Sequence, residues 1–109
     1  MERRKHRRVP LHIQGYLLGN SHEIEGHTLD VSLGGARFES EVDVFPGKTI
    51  MVRLVIPGAD SAVSIPEARV RWVDEGTFGV EFHDLGPDDL DDLEELIDEF
   101  DEAEESGHA

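Results

Sequence analysis

Between Val9 and Phe82, apolar and polar residues alternate in short runs, a pattern typical of strands with one buried face. Residues that favour turns, mostly Gly, Pro, Asn and Asp, separate these runs. The pattern predicts strands over residues 9–17, 23–32, 36–39, 50–56, 64–73 and 77–82. Short strands separated by turns predict an antiparallel barrel or sandwich, so the chain is expected to be mainly β.

The hydrophobic period changes after Phe82. Pro87 suits the first position of a helix, and the two aspartates that follow it favour the positive end of the helix dipole. Apolar residues then recur at three- and four-residue spacing, which predicts a C-terminal amphipathic α-helix with an acidic outer face. The predicted apolar stripe consists of Leu90, Leu93, Ile97 and Phe100.

Charge divides the chain into three parts. Half of the ten basic residues lie in the first eight positions, whereas thirteen acids and no Lys or Arg follow from Asp84 onward. Residues 1–8 are therefore predicted to form a flexible basic arm, which Pro10 directs into the domain as extended chain. The folded domain is predicted over residues 9–103, and a disordered tail over 104–109. The acidic helix face is either solvated or a docking surface for an effector protein.

The composition excludes several classes of function. With no cysteine, the chain has no disulfide, thiol nucleophile or Cys-based metal site. The six histidines lack metal-ligand spacing and no nucleophile is paired with a base, so neither an enzyme nor a cofactor is expected. No apolar run reaches about eighteen residues, so we expect a cytoplasmic protein without membrane insertion. A net charge of −15 disfavours DNA and RNA, although a local basic arm can bind a small anion.

The segment from Asp30 to Phe38 has the densest set of polar groups between two predicted strands. Strand alternation places Thr28, Asp30 and Ser32 on the outer face, opposite the apolar residues between them. An ionised Asp only accepts hydrogen bonds, so it suits the adjacent N–H donors of a guanine edge, and Ser32 can donate or accept. Alternatively, Asp30 and Ser32 cap their own turn through bonds to the backbone.

Glycines and arginines complete this candidate site. Gly35 lacks a side chain where a flat ligand would approach the backbone, and Gly34 or Gly35 is expected to have a positive φ. Arg4 and Arg8 lie on the same side of an extended arm, about 13 Å apart. The paired N–H donors of an arginine side chain match phosphate oxygens and the acceptors of guanine. An anion with two phosphates and two guanines could therefore engage the arginines of the arm and the Asp30/Ser32 pair at once. The alternative for the arm is a solvated basic tail.

The chain resembles the PilZ domain family at two motifs. The segment 4–10, Arg-Lys-His-Arg-Arg-Val-Pro, is similar to the family's RxxxR motif, and the segment 30–35, Asp-Val-Ser-Leu-Gly-Gly, is similar to its DxSxxG motif. Segments 68–72 and 79–82 resemble its closing strands. The resemblance implies a six-stranded antiparallel split β-barrel with a C-terminal α-helix. It also implies a bacterial receptor for the second messenger cyclic di-GMP.

The family's motif residues imply specific roles at matching positions. Arg4 and Arg8 are expected to bind phosphate and guanine edges of cyclic di-GMP. Asp30 and Ser32 are expected to hold a guanine, and Gly35 to let the ligand approach closely.

Other positions have more than one interpretation. Arg3 precedes the motif, where an arginine accompanies an intercalated pair of ligand molecules in this family, and the register from Arg3 to Arg7 also satisfies RxxxR. Gly34 belongs to the same ligand-binding turn. Arg37 either reaches a phosphate or is a solvated strand residue. Trp72 either stacks on a base or, by parity with the apolar residues of its strand, lies in the core unless that strand is bulged.

These observations predict a single-domain cyclic di-GMP receptor or adaptor. Ligand binding is expected to order the arm, and the change is expected to be recognised by a downstream effector protein. The alternative is a PilZ-fold interaction module, acting in motility or pilus assembly, that does not bind the nucleotide. The protein is expected to be a monomer or a homodimer.

Overall fold

The computed structural model describes residues 8–19, 22–58 and 61–107. Six antiparallel strands close into a barrel in the order β1-β2-β3-β6-β5-β4, and one helix follows. This architecture confirms the predicted barrel with a C-terminal helix and excludes the sandwich. The elements are β1 (Gln14–Leu18), β2 (Glu23–Val31), β3 (Gly35–Ser40), β4 (Thr49–Val55), β5 (Ala62–Asp74), β6 (Thr77–His83) and α1 (Pro87–Gly107).

The barrel interior is filled by the apolar residues of the alternating pattern. In β4, Ile50, Val52 and Leu54 are buried while the residues between them are exposed. At the centre, the rings of Phe38 and Phe78 stack with their centroids 5.7 Å apart. Alternation therefore identifies the inner face of β4 correctly, even though its pairing with β5 shifts register between Ile50 and Val52.

The first strand is shorter than predicted. Burial alternates from Val9 onward, but the ladder of β1 begins only at Gln14. The interruption lies at Pro10, where the N–H of Leu11 donates to the carbonyl of Val9 at 2.9 Å across a tight turn. Val9 instead forms an isolated antiparallel bridge with Val31. This bridge fixes the start of the described chain beside the end of β2.

A bulge in β2 changes the predicted orientation of its residues. Thr28 pairs with Phe38 and Asp30 pairs with Arg37, so Leu29 has no partner on β3. The extra residue reverses the alternation. The predicted outward position of Thr28 is therefore wrong, because its side chain is fully buried, while Leu29 is only half-buried.

The buried hydroxyl of Thr28 connects β2 to the segment that precedes β1. It accepts a hydrogen bond from the N–H of Ile13 at 2.9 Å and donates to the carbonyl of Leu11 at 2.5 Å. Its own N–H donates to the carbonyl of Ile13. Thr28 thus supplies the backbone partners that this segment lacks outside a regular ladder.

The hairpin between β5 and β6 has the predicted turn. Glu75 and Gly76 form a two-residue loop with φ of 43° and 85°. Two positive φ values are typical of a type I′ turn, whose twist matches that of the flanking strands. The turn sets the register in which β5 pairs with β6.

The helix packs its apolar stripe against β5 and one end of the barrel. Leu93, Leu96 and Ile97 are buried, whereas Leu90, predicted to belong to the stripe, is exposed. Asp89 accepts a hydrogen bond from the N–H of Ser64, which ties the first helical turn to β5. The helix continues to Gly107, beyond residue 104 where we expected a tail to begin. Within the described residues, no helix is long and apolar enough to cross a membrane.

Thr28→Val is expected to lower the free energy of unfolding by about 1–3 kcal/mol, because it leaves the buried N–H of Ile13 and carbonyl of Leu11 without partners. Urea denaturation followed by circular dichroism measures the change. Thr49→Val, at an exposed position of β4, is the matched control and should change stability by less than about 0.5 kcal/mol. Equal effects of the two substitutions would contradict the anchoring role of Thr28.

Candidate ligand-binding site

Four residues from four neighbouring strands lie in one row across the outside of the barrel. Asp30 of β2 pairs with Arg37 of β3, Arg37 pairs with Gly79 of β6, and Gly79 pairs with Trp72 of β5. At about 4.8 Å between strands, the row is about 14 Å long. It forms the floor of an open pocket of about 630 Å³. The pocket is lined by Arg8, Asp30, Ser32, Gly34, Gly35, Ala36, Arg37, Arg71, Trp72, Gly79, Val80 and Glu81.

Asp30 holds two arginines at one end of this row. One carboxylate oxygen binds Nη1 of Arg8, and the other accepts from Nε of Arg37 at 2.9 Å. The side chain of Asp30 is only 13% exposed, so these cations replace much of the water that a carboxylate needs. The turn-capping alternative does not describe Asp30, because both oxygens bind arginine side chains.

Ser32 does cap its turn. Its hydroxyl accepts from the N–H of Gly34 at 3.2 Å and donates to the carbonyl of Gly35 at 3.3 Å. Ser32 is only 3% exposed and its side chain lies against the backbone of the turn, so it does not project freely from the outer face as predicted. The reason is that β2 ends at Val31, and strand alternation does not extend into the turn that follows. Ser32 still lines the pocket, and its role toward a ligand stays a prediction.

Gly35 is required by packing and not by backbone conformation. Neither Gly34 nor Gly35 has a positive φ, so that expectation is wrong. A Cβ at Gly35 would lie 2.3 Å from the carbonyl oxygen of Val80 on β6. Only glycine allows the backbones of β3 and β6 to approach this closely beside the pocket.

Trp72 lies outside the core because β5 is bulged. Val70 pairs with Val80 and Trp72 pairs with Gly79, so Arg71 has no partner on β6. The core alternative for Trp72 is therefore wrong, the exception of a bulged strand applies, and the residue is 40% exposed. It lies over Gly79, where an added Cβ would come within 2.3 Å of Nε1. The absence of a side chain at Gly79 gives the ring a flat place on the sheet.

The bulge adds an arginine that the sequence patterns did not single out. Arg71 lines the pocket beside Trp72, and its Nη1 lies 3.5 Å from a carboxylate oxygen of Glu81. The same oxygen contacts Nε2 of His83 at 3.1 Å. A glycine inside a predicted strand, at Gly79, was the available signal for irregular geometry here.

The structure brings together every predicted site residue that it describes. Arg8, Asp30, Ser32, Gly34, Gly35, Arg37 and Trp72 all line one pocket, whereas Arg3 and Arg4 lie outside the described residues. The pocket offers guanidinium groups for an anion, a carboxylate for N–H donors and an indole face for stacking. In the part of the chain that the structure describes, no His, Asp or Glu cluster could hold a metal ion.

Gly79→Ala is expected to displace the indole of Trp72, because the new Cβ would overlap the ring. Trp72 is the single tryptophan of the chain, so its fluorescence emission measures the change directly. We expect a shift to longer wavelength with unchanged secondary structure by circular dichroism. Gly86→Ala is the control, since the nearest atom to its Cβ would be 3.8 Å away. An unchanged emission maximum in Gly79→Ala would contradict the position of the ring.

Comparison with known proteins gives a consistent result. The family model of the PilZ domain matches residues 2–99. Among solved structures, the PilZ domain of CeSA from a cellulose-synthesizing bacterium aligns with a TM-score of 0.68 at 18% identity, over 87% of this chain and 98% of that one. No curated protein sequence matches the chain.

Two longer proteins also share the fold. YcgR from Escherichia coli, solved in complex with c-di-GMP, aligns with a TM-score of 0.77 at 16% identity, over 98% of this chain and 50% of that one. The inhibitor of motility MotI/DgrA from Bacillus subtilis aligns with a TM-score of 0.73 at 17% identity, over 91% and 52%. The chain thus spans about half the length of these two proteins.

Proposed function

We propose that this chain, which belongs to the PilZ domain family, is a non-enzymatic receptor for cyclic di-GMP. The observation that carries the proposal is the row from Asp30 to Trp72, where a carboxylate, an arginine and an indole share one open pocket. The relative YcgR, whose structure contains c-di-GMP, supports the choice of ligand.

The carboxylate of Asp30 is assigned to the guanine. The N1–H and N2–H donors of a guanine edge match the two oxygens of a carboxylate. Because Asp30 is mostly buried, it needs donors whether or not ligand is present. Guanine can replace an arginine on Asp30 without leaving the charge unpartnered, so the exchange costs less than exposing a bare carboxylate.

The two arginines next to Asp30 are assigned to the phosphates. Arg8 and Arg37 are about half exposed and bind a single carboxylate between them. Cyclic di-GMP carries two phosphate charges, and charge-assisted arginine–phosphate bonds are among the stronger hydrogen bonds. The protein as a whole has a net charge of −15, so binding depends on this local group of cations.

Trp72 is assigned to a base. Its ring is exposed on the pocket side and supported by Gly79 from below. Stacking of a nucleobase on an aromatic side chain contributes about 1–3 kcal/mol.

Signalling is assigned to the basic arm. Arg8 is the last residue of the arm, and the resemblance to the RxxxR motif assigns a second phosphate contact to Arg4, with Arg3 beside it. We propose that ligand fixes the arm over the pocket, and that a partner protein recognises the new surface. Ordering the arm has an entropic cost, which lowers the affinity below that of a preformed site.

Arg8→Ala and Asp30→Ala are each expected to weaken binding of cyclic di-GMP by at least about tenfold, because each removes charge-assisted hydrogen bonds. Isothermal titration calorimetry measures the affinity and also the number of ligand molecules per chain. Wild-type protein should bind at tens of micromolar ligand or below.

Arg53→Ala is the matched control. Arg53 is a half-exposed arginine with one carboxylate partner, Glu23 at 3.4 Å, and it lies outside the pocket. Its loss should leave the affinity within about twofold, whereas an equal effect of all the substitutions would indicate only general electrostatics. Wild-type protein that does not bind at tens of micromolar would overturn the proposal.

A further inference from the structure

The bulge in β5 places two consecutive side chains on the same face of the barrel. In a regular strand, Arg71 and Trp72 would point to opposite faces. Because Arg71 has no partner on β6, both residues are exposed and both line the pocket. A cation and an aromatic ring from adjacent residues therefore line the same pocket.

Among the arginines of the pocket that the structure describes, Arg71 has the longest and most exposed ion pair. Its distance to Glu81 is 3.5 Å, with side-chain exposures of 58% and 49% for the two residues. Exposed pairs of this kind contribute about 0–1 kcal/mol. Arg8 and Arg37, in contrast, bind a carboxylate that is only 13% exposed. An incoming anion can thus take Arg71 from Glu81 at little cost.

Glu81 also keeps a partner when Arg71 leaves. The oxygen that contacts Arg71 contacts Nε2 of His83 at the same time. The carboxylate is half exposed, so water can fill the position that the guanidinium vacates. The release of Arg71 therefore leaves no buried charge without a partner.

We propose that Arg71 binds a phosphate of the dinucleotide whose base stacks on Trp72. The inference rests on the proposed function, since it assigns a further contact within the same pocket. A base that lies on the indole carries its sugar and phosphate beyond the ring, and Arg71 is the cation of the adjacent residue in the same pocket. Arg71 then supplies phosphate binding at the β5 end of the row, while Arg8 and Arg37 supply it at the β2 end.

Arg71→Ala is expected to weaken cyclic di-GMP binding by about tenfold, as for loss of one charge-assisted hydrogen bond. Arg71→Lys should recover most of the affinity, because an ammonium can bind phosphate as a point charge but cannot form the two-donor fork that guanine needs. Calorimetry measures the affinities, and circular dichroism checks that each variant is folded.

Arg69→Ala is the matched control. It removes the same charge from an exposed position of the same strand, but Arg69 does not line the pocket. The affinity of the Arg69→Ala variant for cyclic di-GMP should stay within about twofold of that of the wild-type protein. At saturation, the change in Trp72 fluorescence should be the same in wild type and Arg71→Ala, since stacking itself is retained.

The outcomes separate this inference from the proposed function. If Arg71→Ala and Arg69→Ala have the same affinity for cyclic di-GMP while Arg8→Ala loses binding, the role of Arg71 is overturned. The receptor function stands in that case. If Arg71→Lys binds as weakly as Arg71→Ala, the assignment to a phosphate is overturned. If the wild-type protein does not bind, both proposals fail.

Discussion

The carboxylate of Asp30 is the interaction on which the candidate site depends. It is mostly buried, so it requires hydrogen-bond donors at all times, and two arginines from different parts of the chain supply them. Arg8 lies at the end of the basic arm and Arg37 on the next strand. A single charge thereby couples the arm to the barrel. In the proposed function, a ligand that offers N–H donors to Asp30 competes with Arg8 for the carboxylate, and this is the physical route from recognition to a change of the arm.

Two β-bulges set the positions around that carboxylate. The bulge at Leu29 turns Thr28 into the core, where it holds the segment before β1. The bulge at Arg71 turns Trp72 out of the core and onto Gly79. Bulges bend a strand and redirect side chains, and they are frequent near functional sites. Here they lie at the two ends of one pocket, so the irregularities that interrupt the ladders also shape the candidate binding surface.

The sequence pattern predicted the strands, the hairpin at Glu75 and Gly76, and the C-terminal helix, because alternation and turn chemistry are local properties. It left barrel and sandwich open, and only the family resemblance implied the closed barrel. It also predicted which motif residues share a site, through resemblance to a family. Alternation failed at Thr28 and Trp72, since a bulge depends on pairing with another strand and has no reliable local pattern. It failed at Ser32 because β2 ends at Val31 and the turn that follows has no strand period. Arg71 was missed for the same reason: its orientation follows from an unpaired position that only the register of β5 and β6 defines.

The most direct test is a crystal structure of the protein with cyclic di-GMP. We predict that guanine N–H groups lie about 2.7–3.2 Å from the carboxylate of Asp30, and that Arg8 has moved from Asp30 to a phosphate. The second requirement matters most, because it distinguishes exchange of partners from simple addition of a ligand. A complex in which Asp30 keeps both arginines and the nucleotide lies elsewhere would contradict the account.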